Sequence, residues 1–100
     1  MDLTKKPIYR NRALLDSVKW LACVNCGAMD GTIVPAHSNE EKGMGIKSPD
    51  STVMALCFAC HAGYDGGWKM DREDARAFAY KMNALTLRRF LEIGYVGVIK

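Results

Sequence analysis

Every cysteine in the chain belongs to one of two Cys-x2-Cys pairs, Cys23-Val24-Asn25-Cys26 and Cys57-Phe58-Ala59-Cys60. Two such pairs offer four thiolates to one tetrahedral zinc ion, with each sulfur about 2.3 Å from the metal. The 30 residues between the pairs are a span typical of loops organised by zinc. Two disulfides are the rival reading. No apolar secretory segment is found in Met1-Asp2-Leu3-Thr4-Lys5-Lys6-Pro7, and paired spacing favours a chelate over bridged loops. A redox role for the thiols fits less well, because two matched pairs chelate better than they shuttle electrons.

One hundred residues make one small domain, residues 1–100, whose modest core gains folding free energy from a structural metal. No apolar run has the 18 or more residues of a membrane span. The expected setting is therefore reducing and cytoplasmic, with no membrane partner. Charge is unevenly distributed. Residues 1–20 carry five cations against two acids, residues 69–100 seven against four, and the middle two against five. An acidic centre between basic flanks suits a protein that holds a polyanion over a cation site; an ordinary solvated surface is the alternative.

Leu14, Leu15, Val18 and Leu21 lie on one face of an amphipathic helix over residues 12–21. Thr32-Ile33-Val34, ending at Pro35, predicts a short strand reaching Ala36 and His37. Residues 38–51 read as a long loop, and residues 52–56 as the return strand into the second knuckle. A short helix then carries Cys60, His61 and Asp65 up to Gly66-Gly67, closing a core over residues 22–67. Asp71 caps a long helix over residues 72–93, with Ala75, Phe78, Ala79, Met82, Leu85 and Leu91 at helical spacing and a stop at Gly94. The tail from Tyr95 to Ile99 adds a strand or covers the core. The fold class is a small zinc-stapled α+β domain.

His61 and Asp65 are four residues apart, so on a helix they share a face and can share one cation. Cys60 points about 100° away around the same helix. One helix can therefore serve two metals, with its cysteine side closed on zinc and its His/Asp side open. His37, the only other histidine, ends the strand that pairs with the one feeding this helix.

The order Cys-x2-Cys, strand ending in histidine, long loop, return strand and Leu56-Cys57-x2-Cys60-His61 resembles the HNH (ββα-metal) nuclease superfamily in its treble-clef form. The stretch from Ala36-His37-Ser38-Asn39 through Gly43-Met44-Gly45-Ile46-Lys47-x2-Asp50 to His61-x3-Asp65 is closer still to small phage and prophage nucleases of the YbcO-like group. The resemblance covers about residues 12–93. It implies a ββα-metal core and a metal-dependent DNA endonuclease acting in DNA processing or recombination. His37 would be the general base, and His61 and Asp65 would hold a catalytic Mg²⁺, Mn²⁺ or similar ion. Cys23, Cys26, Cys57 and Cys60 would hold structural zinc.

DNA, including branched or single-stranded forms, is the expected partner; a protein partner or an oligomer is allowed by the sequence but not indicated. Lys42 and Lys47, with Asn39 and the more distant Arg72 and Arg76, are candidate nucleic-acid contacts. The sequence departs from the family at Ala36, where relatives commonly carry an Asp or His ligand, and at Ser51-Thr52, where many carry an asparagine that orients the base. Either His61 and Asp65 suffice with water and substrate oxygens, or Asn39 or Asp50 substitutes from the loop. The alternative function is a catalytically inactive zinc module that binds nucleic acid or a partner protein.

Overall fold

The computed structural model describes residues 10–38 and 49–94. The first element is α1 (Arg12–Ser17), followed by a tighter helical turn at Val18–Trp20. Next come β1 (Val34–His37), a 3-10 turn at Asp50–Thr52, β2 (Val53–Leu56) and α2 (Phe58–Ala62). A wide helical turn at Gly63–Gly67 leads to α3 (Arg72–Glu92). The architecture is α+β, with one two-stranded antiparallel sheet among the described residues. Residues 39–48, most of the expected long loop, and the tail beyond Gly94 lie outside the described residues.

The N-terminal helix is shorter than its periodicity predicts. Asn11 caps it by accepting the Leu14 N–H at 3.0 Å, and the chain tightens at Val18 before leaving helical geometry at Leu21. Its apolar face still reaches the core, where Leu14, Val18 and Leu21 are buried.

The first strand lies later than the β-branched run suggests and includes Pro35. The register explains why it can. Pro35 faces Ala55, whose N–H goes to Thr86 Oγ1 (3.0 Å) and whose carbonyl accepts the Val24 N–H (2.9 Å). Both groups point away from β1, as in a non-hydrogen-bonded antiparallel pair, so the proline ring removes no ladder bond. β2 is buried at all four positions, with α3 packed against it.

In α3, Asp71 accepts the Asp74 N–H at 2.8 Å, and Gly94 ends the helix at φ 79°. Ala79, Met82, Thr86 and Phe90 form the buried face. Leu91, expected in the core, is 53% exposed, because Phe90 occupies the core-facing position beside it. Thr86 is the polar member of that face: it also donates to the Met82 carbonyl at 2.8 Å while closing the open edge of β2. Asn83 adds a second tie, donating 2.8 Å bonds to the carbonyls of Ser51 and Val53.

Candidate functional site

The four cysteines converge as their spacing predicts. Their sulfurs all lie within 4.8 Å of one another, and Cys26 Sγ is 3.7 Å from Cys57 Sγ. Tetrahedral Zn–S bonds of about 2.3 Å put ligand sulfurs about 3.8 Å apart, so the quartet fits a structural zinc ion. Local backbone builds this geometry. The Gly27 N–H donates to the Cys23 carbonyl (2.8 Å) and the Cys23 N–H to the Ala28 carbonyl (2.9 Å), with Gly27 at φ 81° turning the knuckle. In the second pair, Thr32 Oγ1 accepts the Phe58 N–H at 3.0 Å at the start of α2 and donates to Asp30 at 2.6 Å.

The sulfurs are electrostatically unequal. Burial would raise the Cys23 thiol, but N–H groups of Cys26, Cys57 and Asn25 outweigh it and bring the pKa down to about 7. Burial pushes Cys60 up to about 12, even though Asn25 Nδ2 donates to its sulfur at 3.2 Å. Neighbouring thiolates repel, so full ionisation of the quartet needs a cation among them.

His37 sits at the end of β1, opposite Val53. Its Nε2 is 3.0 Å from Asp50 Oδ1. The Asp50 side chain is 6% exposed; its Oδ2 accepts the Asn11 N–H at 2.6 Å, and Arg10 Nη1 lies 3.7 Å from Oδ1. Burial alone would raise this carboxyl, but the Asn11 N–H, His37 and Arg10 together hold it below the usual carboxylate range. An anionic Asp50 selects the tautomer protonated at Nε2 and leaves Nδ1 as the acceptor. Asp50 therefore orients the histidine. Asp50, which the sequence offered as a substitute from the loop, stands in a 3-10 turn over residues 50–52 and meets His37.

His61 and Asp65 also pair, with Nε2 3.2 Å from Oδ2, and both side chains reach solvent. His61 is in the last turn of α2, but Asp65 lies in the wide turn beyond it, where Gly66 at φ 142° breaks the helix. Gly63 makes this turn possible, because a Cβ there would run into the Trp68 indole. Trp68 meets Phe78 edge-on at 5.4 Å, and Tyr64 stacks on Phe78 at 5.5 Å, tying the turn to α3.

His61 takes no part in the cysteine quartet. Among the described residues that quartet is the one group of three or more candidate ligands within 4.8 Å, so His37–Asp50 and His61–Asp65 are separate pairs. Ala36 is 2% exposed and adds no ligand. Of the candidate nucleic-acid contacts, Arg72 and Arg76 line one open depression at the start of α3 together with Asp71 and Glu73, so its charge is mixed. Asn39, Lys42 and Lys47 lie outside the described residues. Among the described residues, no helix is long and apolar enough to cross a membrane.

Sequence reasoning missed the roles of Asn11 and Asn25. Asn11 stands immediately before the first helical residue, a cap signature, but its backbone grip on Asp50 depends on tertiary contact. No family model, curated protein or solved structure significantly matches the chain.

Proposed function

We propose that the protein is a metal-dependent DNA endonuclease of the HNH (ββα-metal) type, stapled by zinc in the cysteine quartet. The observation that carries this reading is the His37–Asp50 pair at the end of β1: a half-exposed imidazole held in one tautomer by a buried carboxylate. Asp50 keeps the proton on Nε2, so Nδ1 can take a proton from a water molecule as it attacks a phosphodiester. The strand–strand–helix order β1, β2, α2 supports the same reading, because it puts His61 on the helix following the return strand.

His61 and Asp65 would hold a divalent cation, Mg²⁺ or Mn²⁺, which when bound offsets charge on the phosphate and on the departing 3′ oxygen. Two side chains are a sparse but workable donor set for a hard cation whose other positions are filled by water and phosphate oxygens. Phage-encoded DNA processing or recombination in the cytoplasm is the biological setting that follows from the resemblance.

The second reading, an inactive zinc module that binds nucleic acid or a protein, draws on one observation. His61 and Asp65 gather no third ligand among the described residues, and Ala36 supplies none. Nicking of supercoiled and branched DNA by zinc-loaded protein with Mg²⁺ or Mn²⁺ separates the two readings. The nuclease reading expects cleavage that needs the added cation and disappears in folded His37→Ala and His61→Ala proteins; no cleavage under any of these conditions favours the module.

A further inference from the structure

The outer face of α3 carries a second apolar seam. Ala77, Tyr80, Ala84, Leu87 and Leu91 are all exposed and follow one another at intervals of three, four, three and four residues. That is the a/d spacing of a coiled coil, on the side of the helix opposite Ala79, Met82, Thr86 and Phe90. Tyr80 is 52% exposed and Leu91 53%, so the seam presents large side chains to solvent.

We infer that this seam is a homodimer interface in which α3 packs antiparallel against α3 of a second copy, about a two-fold axis near Met82. Size and charge both select this arrangement. Antiparallel pairing about that axis places Ala77 against the partner's Leu87 and Tyr80 against the partner's Ala84, and symmetry repeats both contacts. Every small residue then faces a large one, which gives close packing. A parallel pair would instead set Ala77 and Ala84 each against its own copy, leaving gaps between bulky Tyr80 and Leu87 layers.

The flanking charges agree. Asp74, Lys81 and Arg88 border one side of the seam at heptad spacing. In the proposed register Asp74 meets the partner's Arg88 twice, once on each side of the axis. Only Lys81 faces its own copy, and its long stem can diverge into water. Sliding the helices one heptad toward their C-terminal halves would bring Lys81 against the partner's Arg88 and lose the Asp74 pairs, and the opposite slide would leave Leu87 and Leu91 beyond the start of the partner's α3. Arg88 also holds Glu92 of its own helix through Nε at 3.1 Å, which leaves other guanidinium N–H groups for the partner. From Ala77 to Leu91 the seam is about 21 Å long, which is short and fits association in the micromolar range.

Sedimentation analysis of the full zinc-loaded chain across the micromolar range tests the inference. It predicts a reversible monomer–dimer equilibrium. Leu87→Glu should weaken the dimer about 100-fold or more, because it removes two buried leucines per dimer, while zinc content and helicity stay unchanged. Asp74→Arg and Arg88→Asp should each weaken it several-fold, and the double exchange in one chain should recover most of the loss. A monomer throughout the range, a dimer indifferent to Leu87→Glu, or a double exchange no better than the single ones would each overturn it.

Discussion

Asp50 Oδ1 lies 3.0 Å from His37 Nε2, while Oδ2 of the same carboxylate accepts the backbone N–H of Asn11 at 2.6 Å. One buried acid thus joins the N-terminal cap of α1 to the end of β1 and fixes the ring that carries the proposed chemistry. Asp50→Ala would leave the Asn11 N–H and the imidazole without this partner, at a cost of about 2 kcal/mol. Urea unfolding of the zinc-loaded protein would register that loss, and Asp50→Asn, which keeps an acceptor, should lose less.

The same carboxyl makes stability depend on pH with a definite sign. Its folded pKa lies below the unfolded value of about 3.9, so its contribution is complete above that pH and is lost as pH falls through the folded value. The stability advantage of wild type over Asp50→Asn should be present at about pH 5 and shrink as pH falls below about 4, where the carboxylate takes up its proton. An advantage that stays undiminished at about pH 3 and below would contradict the electrostatic account.

A structural zinc ion in the cysteine quartet would mean one tightly held zinc per chain and loss of the folded state when a strong chelator removes it. Cys57→Ser removes a sulfur 3.7 Å from that of Cys26 and should lower zinc affinity by at least tenfold. Elemental analysis and far-UV circular dichroism during chelation read both effects.

Gly63→Ala should be destabilising, because the new methyl meets the Trp68 indole in the turn that holds Asp65 four residues from His61. A loss of about 1–3 kcal/mol is expected for such overpacking. Trp68→Ala combined with Gly63→Ala should relieve the clash, so the pair of substitutions will be less damaging than their sum. Thermal denaturation of the four proteins tests this coupling.

Thr86→Val replaces the hydroxyl that accepts the Ala55 N–H with a methyl of similar size. The buried strand N–H then has no acceptor, at a cost of about 1–3 kcal/mol, whereas Thr86→Ser keeps the bond and opens only a methyl-sized gap. Hydrogen exchange at Ala55 should accelerate more in the valine protein than in the serine one.

Features set by local pattern were readable in the sequence. The cysteine pairs, the Asp71 cap, the Gly94 stop and the buried stripe through Ala79 and Met82 depend on spacing within one segment. Contacts between distant segments were not. Asp50 is 13 residues from His37 and 39 from Asn11; the sequence allowed it as a substitute at the site, but nothing in its flanking residues marks its bond to the Asn11 N–H. Pro35 marked the end of the β-branched run, and its place inside β1 depends on the register opposite Ala55, which the sequence does not show. Leu91 and Phe90 are equally apolar neighbours, and only the rotation of α3 against β2 decides which is buried. The second seam on α3 escaped notice for a related reason: two apolar stripes on one helix blur the periodicity that identifies either.

The role proposed for His37, the base in metal-dependent DNA cleavage, can be read from the rate of plasmid nicking by folded, zinc-loaded His37→Gly protein with Mg²⁺ or Mn²⁺, measured with and without added imidazole. The expected result is nicking by the wild type, a loss of at least 100-fold in the variant, and partial recovery that rises with the concentration of neutral imidazole. A wild-type protein that cuts no DNA, or a His37→Gly protein that cuts as well as the wild type, would contradict it.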